Sequence, residues 1–167
     1  MAASSILLTV VVLFVSAVTV PTTAKLPPST FIVEGRVYCD NCRAGFETTI
    51  SEYLSGARVK LDCQNETTHK VIQTIEAVTD SKGSYHIEIS HDHEDETCEV
   101  SLVSSPKPDC SEIKSSRNSA RVVLTENSGM ASDTRNANSL GFLKKEPLKI
   151  CKKLLKWYDL EGNRNQP

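Results

Sequence analysis

The stretch Glu34-Gly35-Arg36-Val37-Tyr38-Cys39-Asp40-Asn41-Cys42-Arg43 places two cysteines in a C-x-x-C spacing. That spacing serves three chemistries: a dithiol redox couple, half of a zinc site, or one half each of two separate disulfides. A redox couple needs a lowered thiol pKa, usually from a helix N-terminus in a βαβ setting. Here Cys39 ends a strand-like alternation, and the anionic Asp40 disfavours a thiolate, with Arg43 offsetting part of that. Zinc would need two more ligands at a matching spacing, and no second C-x-x-C occurs in the chain. Structural disulfides are the favoured reading.

The rest of the chain supports an oxidising route. Residues 1–24 carry no charged side chain, and Ile6 to Val20 is almost wholly apolar, followed by Pro21-Thr22-Thr23-Ala24. This pattern reads as a secretory signal peptide cut after Ala24; the apolar run is short for an uncleaved anchor. All six cysteines, at 39, 42, 63, 98, 110 and 151, lie beyond it. An even count in a secreted chain favours three disulfides, and six cysteines allow about 15 pairings, among which spacing does not choose. The sequon Asn65-Glu66-Thr67 marks Asn65 as a glycosylation site on a surface loop. The net charge of −2 is too small to argue for nucleic acid, and no later segment is apolar enough for membrane insertion once the signal is removed.

Outward from the opening stretch, alternation dominates. Phe31, Val33, Gly35 and Val37 share one parity; Ala57, Val59 and Leu61 alternate with polar residues, as do Tyr85, Ile87 and Ile89, and Val100 with Leu102. Ala120 to Leu124 is a further short β-branched run. Turn signals separate these segments at Ser55-Gly56, Asp80 to Gly83, Pro106 to Asp109 and Asn127 to Gly129. The expected fold is all-β: a small antiparallel β-barrel or β-sandwich stapled by three disulfides. The segments around "GARVKL" and "TDSKGSYHI" resemble transthyretin-like and carboxypeptidase-regulatory-like sandwich modules, a likeness of fold alone. Residues 44–54 read as a loop or helical turn, and 126–139 as a long polar loop. Leu148, Cys151, Leu155 and Tyr158 recur at helical spacing between Pro147 and Leu160, which predicts a short C-terminal helix on the sheet. The expected organisation is signal peptide 1–24, extended leader 25–30, β domain 31–160 and flexible tail 161–167.

Candidate chemistry is sparse. His91-Asp92-His93-Glu94-Asp95-Glu96 could bind a divalent metal through His91 and His93, which would face the same way in a strand. The plainer reading is a solvated, charged hairpin loop between strands 84–90 and 98–104. No G-x-S-x-G, H-E-x-x-H, P-loop or G-x-G-x-x-G occurs, so neither a catalytic set nor a cofactor is expected. Residues 143–167 hold seven Lys or Arg against three Asp or Glu, led by Lys144, Lys145, Lys149, Lys152, Lys153 and Lys156. That cluster is either the wet face of a helix or a patch for an acidic cell-wall polysaccharide.

The ten residues from Glu34 to Arg43 resemble the signature of the Ole e I-like family, plant pollen proteins typified by the major olive pollen allergen. Asn138-Ser139-Leu140-Gly141-Phe142-Leu143-Lys144-Lys145-Glu146-Pro147-Leu148, followed by Cys151, is similar to that family's C-terminal region, and the likeness covers roughly residues 31 to 160. The resemblance implies a secreted, often glycosylated, non-enzymatic β-protein of the extracellular space or wall. It associates the chain with pollen-tube or tissue growth, through an unidentified extracellular protein or a wall polysaccharide. It also implies the pairing Cys39–Cys110, Cys42–Cys151 and Cys63–Cys98. A secreted thiol oxidoreductase acting at the C-x-x-C is the enzymatic alternative.

Overall fold

The structure is a computed structural model and describes residues 29–115 and 117–158. The signal peptide, most of the leader and the tail expected from the sequence lie outside the described residues. Nine strands and one helix follow in order: β1 Thr30–Asp40, β2 Glu52–Tyr53, β3 Arg58–Asn65, β4 Val71–Val78, β5 Ser84–Ser90, β6 Glu96–Ser104, β7 Ser119–Val122, β8 Thr134–Asn136, β9 Leu140–Leu143 and α1 Cys151–Trp157. They form two sheets. In one, β1 is the shared strand: β5 and β2 pair with it antiparallel, while β8 and β9 pair with it parallel. The other is antiparallel throughout, in the order β4-β3-β6-β7.

The alternation read from the sequence becomes the inner faces of these sheets. Phe31, Val33 and Val37 of β1 and Tyr85, Ile87 and Ile89 of β5 pack in one cluster with Val59 and Leu61 of β3 and Val100 of β6. Period-2 patterning does this because successive strand side chains point to opposite faces. Gly35 sits in the same parity without a side chain. A Cβ there would lie 2.2 Å from Tyr85 Oη, so the glycine makes room for the tyrosine of the neighbouring strand. Gly141 on β9 does the same for Tyr38, whose ring a Cβ would meet at 2.7 Å.

Several expectations need correction. Residues 91–96 are not a hairpin loop, because β5 and β6 belong to different sheets; the segment is a crossover between layers. The polar stretch 126–139 is not a plain loop. It contains a 3-10 turn at Glu126–Ser128 and then β8. It is held by Arg135, 3% exposed, whose Nε donates to the Val123 carbonyl at 2.8 Å and whose guanidinium lies 4.8 Å from the centre of the Phe31 ring. The C-terminal helix is shorter than the spacing predicts. It starts at Cys151, and Leu148 and Ile150 ahead of it are exposed. The strand β4 was not anticipated. It is an edge strand with Val71, Ile72 and Val78 exposed, so apolar residues fall on both of its faces and no alternation shows.

Burial of Tyr38 gives an alkaline prediction. Its phenol is pushed up to about 12, chiefly by burial, with Arg117 pulling the other way. A free tyrosine ionises near ~10, so the fold holds the proton longer than the unfolded chain does. The contribution of Tyr38 is therefore fully present below about pH 10 and is lost as pH rises through about 12. A phenolate absorbance titration of the native protein should show late ionisation of two tyrosines, Tyr38 and Tyr85, the second raised further still by burial, together with loss of β ellipticity. Tyr38→Phe should reduce the late amplitude by one tyrosine. If the late amplitude is unchanged by the substitution, this assignment is wrong.

Candidate functional site

The opening stretch is a junction. Asp40 is 1% exposed. Its Oδ1 accepts the backbone N–H of Cys42 at 3.1 Å and its Oδ2 that of Gly45 at 2.7 Å, so one carboxyl group folds the turn after β1. Asn41 donates from Nδ2 to the Ile50 carbonyl at 2.7 Å, and its own carbonyl accepts the N–H of Leu148 at 3.1 Å. Arg43, in the left-handed region at φ 55°, makes a two-pronged ion pair with Glu112 at 2.6 and 2.8 Å and donates to the Lys144 carbonyl at 2.7 Å. The pairing with Arg43 holds the Glu112 carboxyl below its ordinary range.

The two cysteines of the stretch do not bond to each other. The structure joins Cys39 to Cys110 and Cys42 to Cys151, with Cα atoms 6.0 and 5.3 Å apart, and joins Cys63 to Cys98 across β3 and β6. All six sulfurs are used and all six residues are buried. With the partners at 39 and 42 different, the C-x-x-C is no dithiol couple here, and neither sulfur is a free metal ligand.

Asn65 ends β3 at the start of a turn. Its Oδ1 accepts the N–H groups of Thr67 and Thr68 at 3.1 and 2.9 Å and the Thr68 hydroxyl at 3.0 Å, so the sequon itself forms an Asx-type turn and the bonds fall on the oxygen, not on the nitrogen that a glycan joins. The two candidate histidines are separated. His91 is exposed, in the left-handed region at φ 81°. His93 is buried, with Nδ1 2.9 Å from Glu96 Oε2 and its backbone N–H donating to the Leu124 carbonyl at 2.9 Å. A strand geometry would have aligned the pair; the turn at His91 breaks it.

Two exposed surface features remain. One is a polar cleft of about 350 Å³ whose lining includes Glu34, Arg36, Tyr53, His86 and Asn136. His86 Nε2 lies 2.9 Å from Glu34 Oε1, and the Arg36 guanidinium sits 5.0 Å from the centre of the Tyr53 ring, which is 42% exposed. This cleft was missed from the sequence, because its residues come from β1, β2, β5 and β8 and no local pattern joins them. The other surface is the basic segment. Lys145, Lys149, Lys152 and Lys153 are exposed there beside Ile150 and Trp157, the latter 77% exposed. Lys144 instead pairs with Asp109.

These features define a small two-sheet β-protein stapled by three disulfides. The model of the family described as "Pollen protein Ole e 1 like" matches residues 29–159, and the chain belongs to that family. It is 50% identical over 133 residues to Pollen allergen Che a 1 of Chenopodium album, covering 78% of this chain and 79% of the relative. It is 45% identical over 136 residues to Pollen-specific protein C13 of Zea mays, covering 81% and 80%. The crystal structure of the major plantain pollen allergen Pla l 1 superposes with a TM-score of 0.65 at 36% identity, covering 72% of this chain and 98% of that one. Among the described residues no helix is long and apolar enough to cross a membrane.

Proposed function

We propose that this protein is a secreted plant glycoprotein that acts by binding an extracellular protein partner in pollen or growing tissue, without catalysis of its own. The observation that carries the proposal is the polar cleft on β1. It offers an exposed aromatic ring, a histidine–carboxylate contact and an amide within one concavity, a mixture suited to recognition. Supporting it are the uncharged apolar N-terminus, the full pairing of the cysteines, the sequon on a turn and relatives named as a pollen-specific protein and a pollen allergen. A glycan on Asn65 belongs to the same proposal.

The second reading is a wall-associated protein that holds acidic polysaccharide through the basic segment. The exposed lysines beside Trp157 favour it. One experiment separates the two. The secreted protein is crosslinked to pollen-tube surfaces, and separately incubated with de-esterified pectin. The double variant Arg36→Ala/Tyr53→Ala is compared with a Lys→Gln set at 145, 149, 152 and 153. Protein capture lost only in the cleft variant supports the first reading. Pectin binding lost only in the lysine variant supports the second. Unchanged binding in both variants overturns both. Loss of mass on enzymatic deglycosylation, absent from Asn65→Gln, checks the glycan.

A further inference from the structure

The buried side of the 91–96 crossover holds an arrangement that the binding proposal does not use. Cys63, His93, Glu96 and Cys98 each offer one ligand atom, and these atoms all lie within 4.8 Å of one another. His93 is 6% exposed. Its Nδ1 faces a carboxylate oxygen, Glu96 Oε2, which fixes the proton on Nδ1 and leaves the lone pair on Nε2. That Nε2 is buried and has no hydrogen-bond partner. A carboxylate holding Nδ1–H so that Nε2 is free is the arrangement that orients histidines on zinc. A cavity of about 220 Å³, lined in part by His93, Glu96, Cys98 and Arg121, adjoins the group.

We propose that the Cys63–Cys98 disulfide is the closed form of a zinc site, opened by a dithiol reductant. In the first step the dithiol is oxidised to its own disulfide while Cys63 and Cys98 gain two electrons and two protons as thiols. In the second step Zn²⁺ displaces those two protons and is held by both thiolates and His93 Nε2, with Glu96 on Nδ1–H. Two thiolates balance the charge of the ion, which buried sites require. The site survives the cut because backbone, not sulfur, keeps the cysteines together. Cys63 and Cys98 are register partners within an eight-residue β3–β6 ladder, between Asp62↔Glu99 and Gln64↔Thr97. The β3 strand is also held by β4, and β6 by β7. Tetrahedral bonds of about 2.0–2.3 Å set ligand atoms roughly 3.3–3.8 Å apart, so the group contracts around the ion on binding.

The test uses the secreted, signal-free protein treated with a phosphine, which reduces disulfides and takes up oxygen from water without the zinc chelation of a dithiol. Cobalt(II) serves as the spectroscopic probe and zinc as the competitor. The expected result is one cobalt per chain, with a thiolate-to-cobalt charge-transfer band and tetrahedral d–d bands that zinc removes. The oxidised protein and Cys63→Ser/Cys98→Ser should show neither, and His93→Ala should bind at least ~10-fold more weakly. Peptide mapping of alkylated thiols should show zinc protecting Cys63 and Cys98. If cobalt binds equally well in His93→Ala, or if zinc protects Cys39, Cys42, Cys110 or Cys151 instead, the proposal is overturned. Should reduction unfold the chain, zinc must restore its circular dichroism, and failure to do so also overturns it. His93→Gln, which keeps a side chain of similar reach without an imidazole, guards against misfolding of the alanine variant.

Discussion

Replacing Cys42 and Cys151 together with serine should lower the stability of the mature protein by about 4–5 kcal/mol in the chain-entropy model. The reason is the length of the loop that this bond closes, a sequence separation of 109 residues. In the unfolded chain the crosslink restricts the whole segment from Cys42 to Cys151. In the fold, Cys151 is the one buried residue of α1. The Leu148–Asn41 backbone bond and the edge-on contact of Phe46 with Tyr158, 5.9 Å between ring centres, remain after the substitution. A net stability is typically about 5–15 kcal/mol, so the loss removes a third of it or more. Urea unfolding of the two proteins measures it, and a difference below ~1 kcal/mol would show that loop closure is not what the bond contributes.

Asp40→Ala is the second large effect, at about 2–5 kcal/mol. The substitution leaves the N–H groups of the buried Cys42 and the half-buried Gly45 without their acceptors; a fully buried orphan costs about 1–3 kcal/mol and a half-buried one less, and the lost charge on the Cys42 bond adds to this. Asp40→Asn keeps one acceptor oxygen and should cost roughly half as much. The comparison is informative because both variants remove the charge. Equal losses in the two, read from thermal or urea midpoints, would mean that charge rather than acceptor count governs the site.

How much of this was legible in the sequence depends on the distance over which each feature is encoded. The strands β1, β3, β5 and β6 were visible because each is long enough to show alternation, and each has one face in the core. The strands β8 and β9 span three and four residues, and their pairing with β1 runs parallel across about a hundred residues of chain, so no local pattern announces it. Family likeness singled out the opening stretch, but its physical content appears only in the fold: Asp40 makes the turn, Asn41 seats residue 148, and Arg43 ties down Glu112. The buried Arg135 had no signal beyond being a lone cation in a polar segment. His93 was marked for the wrong reason. It was paired with His91 by spacing, whereas the structure sets it against Glu96 and a disulfide. The helical spacing of Leu148, Cys151, Leu155 and Tyr158 suggests a longer helix, yet the Asn41 carbonyl holds the chain at Leu148 and the disulfide at Cys151 marks where the helix starts.

The central place of β1 also dictates an order of assembly. Its short partner β2 follows directly and β5 lies about fifty residues downstream, but β8 and β9 emerge more than a hundred residues after it begins. At a synthesis rate of roughly 5–20 residues per second, β1 waits on the order of 5–20 s for its last neighbours. During that interval Cys39 and Cys42 are close to each other and far from Cys110 and Cys151, while Cys63 and Cys98 are both already made. The 63–98 bond is therefore the one that a growing chain can close early. The junction at residues 39–43 must be kept from premature pairing, or corrected by thiol–disulfide exchange, until the C-terminal segment arrives.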